Sequence, residues 1–130
     1  PMVPQVERWV SHVVKPTAEY YFGVPVVEMK VAASYGCRPR NNQSGGKLSE
    51  HGYANALDIS SFTLADGRVV TVKSGWWGEE RERLFLRAVH EGACGEFTTV
   101  LGPNSDKFHA DHFHVDLARH GRDGRQRYCK

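Results

Sequence analysis

The chain has 130 residues, 40% of them hydrophobic and 25% charged, which is one domain with enough material for a buried core and excludes a disordered chain. The net charge of +2 is too mild to argue for nucleic acid. The strongest apolar run, residues 24–27, contains a proline and falls far short of a membrane span.

In chain order, Val3, Val6, Val10, Val13 and Val14, with Trp9, recur at helical spacing and predict an amphipathic helix over residues 4–22. Pro16 should kink or interrupt it. Residues 24–33 are rich in β-branched side chains and read as a strand. Gly, Pro, Asn, Ser and Lys at 36–47 make a long polar loop. A strand at 55–62, a hairpin turn at Ala65-Asp66-Gly67 and a return strand at 69–72 follow. Ser74 and Gly75 break the chain before Trp76-Trp77. That pair is read as core packing or a loop plug in preference to an aromatic wall for sugar or peptide. Residues 79–90 alternate at helical period, with Leu84, Phe85, Ala88 and Val89 as the inner face and Gly92 as the stop. Short strands at 98–101 and 112–117 flank a loop at 102–108. The tail from Arg119, with Arg122, Arg125, Arg127 and Lys130, reads as basic, irregular and solvated. Helices and hairpin-connected strands without a βαβ rhythm predict an α+β fold, an antiparallel sheet with flanking helices.

Three cysteines, Cys37, Cys94 and Cys129, include no CxxC pair, which argues against a zinc ribbon or thioredoxin-type motif. The expected bridge joins Cys94 to Cys129, closing a long loop and pinning the basic tail. Cys37 is then left for a partner outside the chain. The alternative is three buried thiols in a cytosolic protein. The chain starts at Pro1 without an initiator Met, and the expectation is a fragment that has lost an export signal.

The chemistry concentrates in two segments, His51-Gly-Tyr-Ala-Asn-Ala-Leu-Asp58 and His109-Ala-Asp111-His112-Phe-His114. Zinc catalysis wants three N and O ligands with a fourth position open, and a base beside it. Strand alternation puts His112, His114 and Asp116 on one face and Phe113, Val115 and Leu117 on the other, toward the core. Asp58 lies between Leu57 and Ile59, where a buried carboxylate needs a partner and a metal is an economical one. Each residue alone has a blander reading: His51 as a surface loop residue, Asp58 as a turn cap, the histidines as a solvated edge. Their coincidence favours the metal.

These residues resemble a known group. Ser49-x-His51-x-x-x-x-Ala56-x-Asp58 with His109-x-Asp111-His112-x-His114 looks like the zinc D-alanyl-D-alanine peptidases of the LAS group, with Ala54 where that group has Gly. Ser34-Tyr-Gly-Cys-Arg38 resembles the group's upstream Ser-Gly-Tyr-Arg segment. More closely, the whole chain resembles the bacterial extensin-like C-terminal domain family. Ser34-Tyr-Gly-Cys-Arg-Pro-Arg-Asn41, Leu48-Ser-Glu-His51, Asn55-Ala-Leu-Asp-Ile-Ser60, Thr99-Val-Leu-Gly-Pro103 and Asp111-His-Phe-His-Val-Asp-Leu-Ala-Arg-His120 carry that match.

The peptidase resemblance implies a LAS-like fold and residue roles. His51, Asp58 and His114 would be zinc ligands and Asp111 the general base, placed on the turn entering the last strand. His112 and His109 would stabilise the oxyanion or orient water. Arg38, with Arg40 as rival, would support the substrate carbonyl. The expected activity is zinc-dependent hydrolysis of peptidoglycan stem-peptide or cross-link bonds by a monomer in the periplasm or another exported location. No nucleic acid and no transmembrane segment enter this reading. The alternative is a wall-binding module that keeps the metal and has lost catalysis; a His-rich metal nuclease is disfavoured by the modest basicity.

Overall fold

A computed structural model describes residues 2–34 and 56–130. The polar loop expected at 36–47, and with it Cys37, Arg38 and Arg40, lies outside the described residues, as does His51. The valine-rich start is helical in three stretches: α1 (Val3–Trp9), a π-helical turn (Val10–Val14) and α2 (Lys15–Phe22). The backbone stays in the right-handed helical region at both junctions, Val10 and Lys15. Pro16 has no amide N–H to give to the carbonyl one turn back, so the ladder widens there instead of breaking. Gly23, at φ 72°, closes α2 in the left-handed conformation.

Among the described residues six strands follow: β1 (Val26–Ser34), β2 (Ala56–Leu64), β3 (Val69–Thr71), β4 (Thr99–Leu101), β5 (Phe113–Asp116) and β6 (Tyr128–Cys129). Their order is β1-β2-β5-β4-β6, with β3 also paired to β2. One edge of β2 takes β1; the other takes β5 opposite residues 56–59 and β3 opposite 61–63. Lys30 opposes Ser61 while Val31 opposes Ile59, so Ser60 is the extra residue of a bulge in β2. That bulge lets Ile59 and Phe62, three residues apart, both be buried. The expected hairpin turn is present: Leu64 and Arg68 are paired through their backbones, and Gly67 takes φ 93°.

The expectation of a wholly antiparallel sheet and an irregular tail is corrected by β6. It runs parallel to β4, with Thr99 opposite Tyr128 and Val100 opposite Cys129, so the sheet is mixed. The reason is tertiary. β5 occupies one edge of β4, and the tail covers the other, where Cys129 is joined to Cys94 at a Cα separation of 5.7 Å. The bridge is the expected pairing.

Two further helices are α3 (Val72–Gly75), where a break was expected, and α4 (Glu80–Ala93). The Thr71 hydroxyl accepts from the Ser74 amide at 3.1 Å, and the Glu79 carboxylate accepts from the Arg81 and Glu82 amides, so each helix is capped by the residue before it. α4 buries Phe85, Leu86, Val89 and Ala93; Leu84, expected inside, is 37% exposed. Trp9, Phe62, Phe85, Phe97 and Phe113 form the centre of the core, and Trp9 Nε1 donates to the Val89 carbonyl at 2.9 Å. Trp76 belongs to this core, whereas Trp77 is exposed with the Arg87 guanidinium 5.1 Å from its ring. Among the described residues no helix is long and apolar enough to cross a membrane.

Gly92 does not end α4. It lies inside the helix, where a Cβ would overlap the Val13 side chain of the N-terminal helix. Close helix approach, not a turn, is what requires glycine here. Gly92→Ala should therefore destabilise the protein despite alanine's better helix propensity. Overpacking costs about 1–3 kcal/mol, against a propensity gain of about 1 kcal/mol. Urea unfolding measures the balance, and a midpoint that rises would show that the two helices do not touch closely at this point.

Candidate metal centre

The helices and the aromatic core cover one face of the sheet, and the other face carries the polar residues. β5 alternates as expected: Phe113 and Val115 are buried, while His114 and Asp116 are half-buried on the opposite side. The β2–β5 register sets Asp58 directly across from His114. The consequence is a contact: His114 Nδ1 lies 3.0 Å from Asp58 Oδ1. The second nitrogen of the same ring, Nε2, lies 2.8 Å from Asp116 Oδ2. Opposing carboxylates thus hold both ring nitrogens of His114.

Asp111 lies on the turn before β5, as the base assignment requires, and its Oδ1 is 2.8 Å from His112 Nδ1. The other nitrogen of His112 faces the site, with Nε2 3.8 Å from Asp58 Oδ1. His109 belongs to the same group, its ring centroid 5.1 Å from that of His112 and 6.0 Å from that of His114. It sits on a 3-10 turn (Lys107–His109) that Asp106 caps, and Asp106 Oδ1 also meets His109 Nδ1 at 2.8 Å. Asp58, Asp111 and His112 line an open cleft of about 240 Å³ together with Ser60 of β2 and Lys30, Val31 and Ala32 of β1. The small volume suits one or two residues of an extended chain better than the roughly 300–1,000 Å³ of a drug-sized pocket.

The charges agree with this geometry. Burial pushes the His114 imidazole down, but the carboxylates of Asp116 and Asp58 outweigh it and hold the group above the usual histidine range. Burial pushes Asp116 up, and hydrogen bonds from the Thr99 hydroxyl, the Ala118 amide and His114 together bring it below the usual carboxylate range. The hydrogen bond from His112 is the main reason that Asp111 also lies low. The carboxylates of Asp58, Asp111 and Asp116 lie around the imidazoles of His112 and His114, with Lys30 lining the same cleft. The N and O donor set is of the type zinc takes. Asp58 and His114 are thus adjacent, and Asp111, His112 and His109 gather beside them, while His51 and Arg38 lie outside the described residues.

Asp116 has a place at this site that the motif reading does not assign it. Its signal in the sequence is the spacing of two from His114, which puts both on one strand face. A carboxylate on the far nitrogen of a ligating histidine fixes the ring and its tautomer. If His114 holds a zinc ion, Asp116→Asn should weaken its binding by about 10- to 100-fold while leaving the fold intact. Competition against a chromogenic chelator measures this, and unchanged affinity would mean that Asp116 orients nothing at the metal.

The family model for the extensin-like protein C-terminus matches residues 1–130, the whole chain. No curated protein and no solved structure matches it.

Proposed function

We propose that this chain, which belongs to the extensin-like protein C-terminus family, is a zinc-dependent peptidase of peptidoglycan, hydrolysing stem-peptide or cross-link bonds in the cell envelope. The observation that carries the reading is the pairing of Asp58 with His114 across adjacent strands at 3.0 Å, with Asp111 and His112 beside them. Asp58 and His114 would hold the zinc with His51, the third residue of the LAS-like pattern. Zinc, when bound, supplies a Lewis acid that polarises a carbonyl and lowers the pKa of a water to about 7.

The remaining work falls to this chain's side chains. Asp111, whose carboxyl His112 holds below the usual carboxylate range, can accept a proton from the attacking water and pass it to the leaving amine. His112, held by Asp111 through Nδ1, turns Nε2 toward Asp58, where it can donate a hydrogen bond to the oxyanion. In the LAS-like pattern Arg38 would support the carbonyl, and the His109 ring packs beside that of His112. Val31 and Ala32 give the cleft an apolar wall suited to a short side chain such as alanine's. The Cys94–Cys129 bridge supports an oxidising, exported location.

The test is digestion of purified peptidoglycan by the zinc-loaded protein, with the released fragments identified by mass. New peptide ends are the expected result. Retention on the wall polymer with no new ends would instead identify a binding module that keeps the metal.

A further inference from the structure

We infer that Cys94, Cys129 and His90 form a second metal site, one that exists only when the Cys94–Cys129 bridge is open and that takes a soft or borderline divalent ion such as zinc. One ligand atom from each of the three lies within 4.8 Å of the others, and the two sulfurs, bonded to each other in the bridge, would move apart to hold an ion. His90 and Cys94 are four residues apart, one on the last turn of α4 and the other at its C-cap, so they share a helix face. The His90 ring packs edge-on against both Trp76 and Phe113, each centroid 5.4 Å away. Its Nε2 is buried and has no hydrogen-bond partner among the described residues.

The tail is held by contacts besides the bridge. The Tyr128 amide donates to the Thr98 carbonyl and the Lys130 amide to the Val100 carbonyl, each at 2.8 Å. Arg127 Nη1 donates to the Cys94 and Phe97 carbonyls at 3.0 Å. The His120 and Tyr128 rings pack at 4.4 Å, and His120 Nε2 meets the Thr99 hydroxyl at 2.6 Å. These contacts keep Cys129 beside Cys94 after reduction, so the dithiol is preorganised. A dithiol reductant opens the bridge in two exchanges. One of its thiolates attacks a protein sulfur, and the second closes the reductant's own disulfide, leaving both protein sulfurs reduced. Metal binding then releases the two thiol protons. The bridge and the metal are mutually exclusive states of the same two sulfurs.

The experiment uses the full chain, oxidised or reduced with dithiothreitol and desalted without air, titrated with Co²⁺. The reduced protein should develop sulfur-to-cobalt charge-transfer absorption that saturates by about two equivalents, one for each centre, and the oxidised protein should show none. His90→Phe, which keeps a ring against Trp76 and Phe113, should weaken that band's affinity by at least about 10-fold. In parallel, Zn²⁺ should protect Cys94 and Cys129, and not Cys37, from alkylation in the reduced wild-type chain, as peptide mapping reads out. No charge-transfer band, equal affinity in His90→Phe, or alkylation of Cys94 and Cys129 unslowed by zinc overturns the site. The centre at Asp58 and His114 contributes no sulfur, so neither readout depends on it.

Discussion

His114→Ala should strip the zinc from the protein and abolish hydrolysis. The wild-type chain is expected to hold about one zinc at the Asp58–His114 site, at ligand distances of roughly 2.0–2.2 Å. Alanine removes a donor from a set of three, which costs more than the 10- to 100-fold that loss of a mere orienting partner costs. It also strands two carboxylates, because Asp58 and Asp116 both meet the His114 ring. The fold should survive, since the core side of β5 is carried by Phe113 and Val115, which the substitution leaves in place. Elemental analysis of chelator-free protein beside its circular dichroism checks this. A folded His114→Ala protein with its full zinc would remove His114 from the ligand set and the peptidase reading with it.

Asp111→Asn should separate base from ligand. The amide keeps the shape of the carboxylate but cannot take a proton, so zinc content should be unchanged while turnover falls by about 10²- to 10⁴-fold. His112→Ala should cost about 10²- to 10³-fold as the loss of an oxyanion donor. It carries a second signature. His112 is the main reason that the Asp111 carboxyl lies low. A base works only when ionised, so activity falls as pH drops through its pKa. Without His112 that pKa rises toward the ordinary range, and the acid limb of the pH profile should move to higher pH. Turnover on a D-Ala-containing stem peptide against pH, with zinc measured on the same samples, reads both effects. Zinc loss in Asp111→Asn would make Asp111 a ligand or a support; full activity would move the base to His109 or His112.

Local patterns carried much of this protein. The period-2 run from His112 to Leu117 is enough to put His114 and Asp116 on one face of β5 and Phe113 and Val115 on the other, because alternation belongs to the strand itself. The valine spacing of the first helix was likewise legible, as were the Ala65-Asp66-Gly67 turn and the pairing of Cys94 with Cys129. What no single segment contains is which strand lies beside which, and in what register. Only the β2–β5 register makes Asp58 the neighbour of His114, and a slip of one residue would turn its side chain to the core. Only helix packing explains Gly92, which sequence punctuation reads as a stop although its role is to let Val13 approach. The parallel strand β6 has almost no apolar signal of its own; the free edge of β4 and the bridge to Cys94 place it there. The sequence by itself determined the chemistry on offer and the faces that carry it, because those follow from residue type and backbone period. The tertiary structure decided which donors meet, because pairing across some 56 residues of separation depends on sheet edges and core packing that local pattern does not encode.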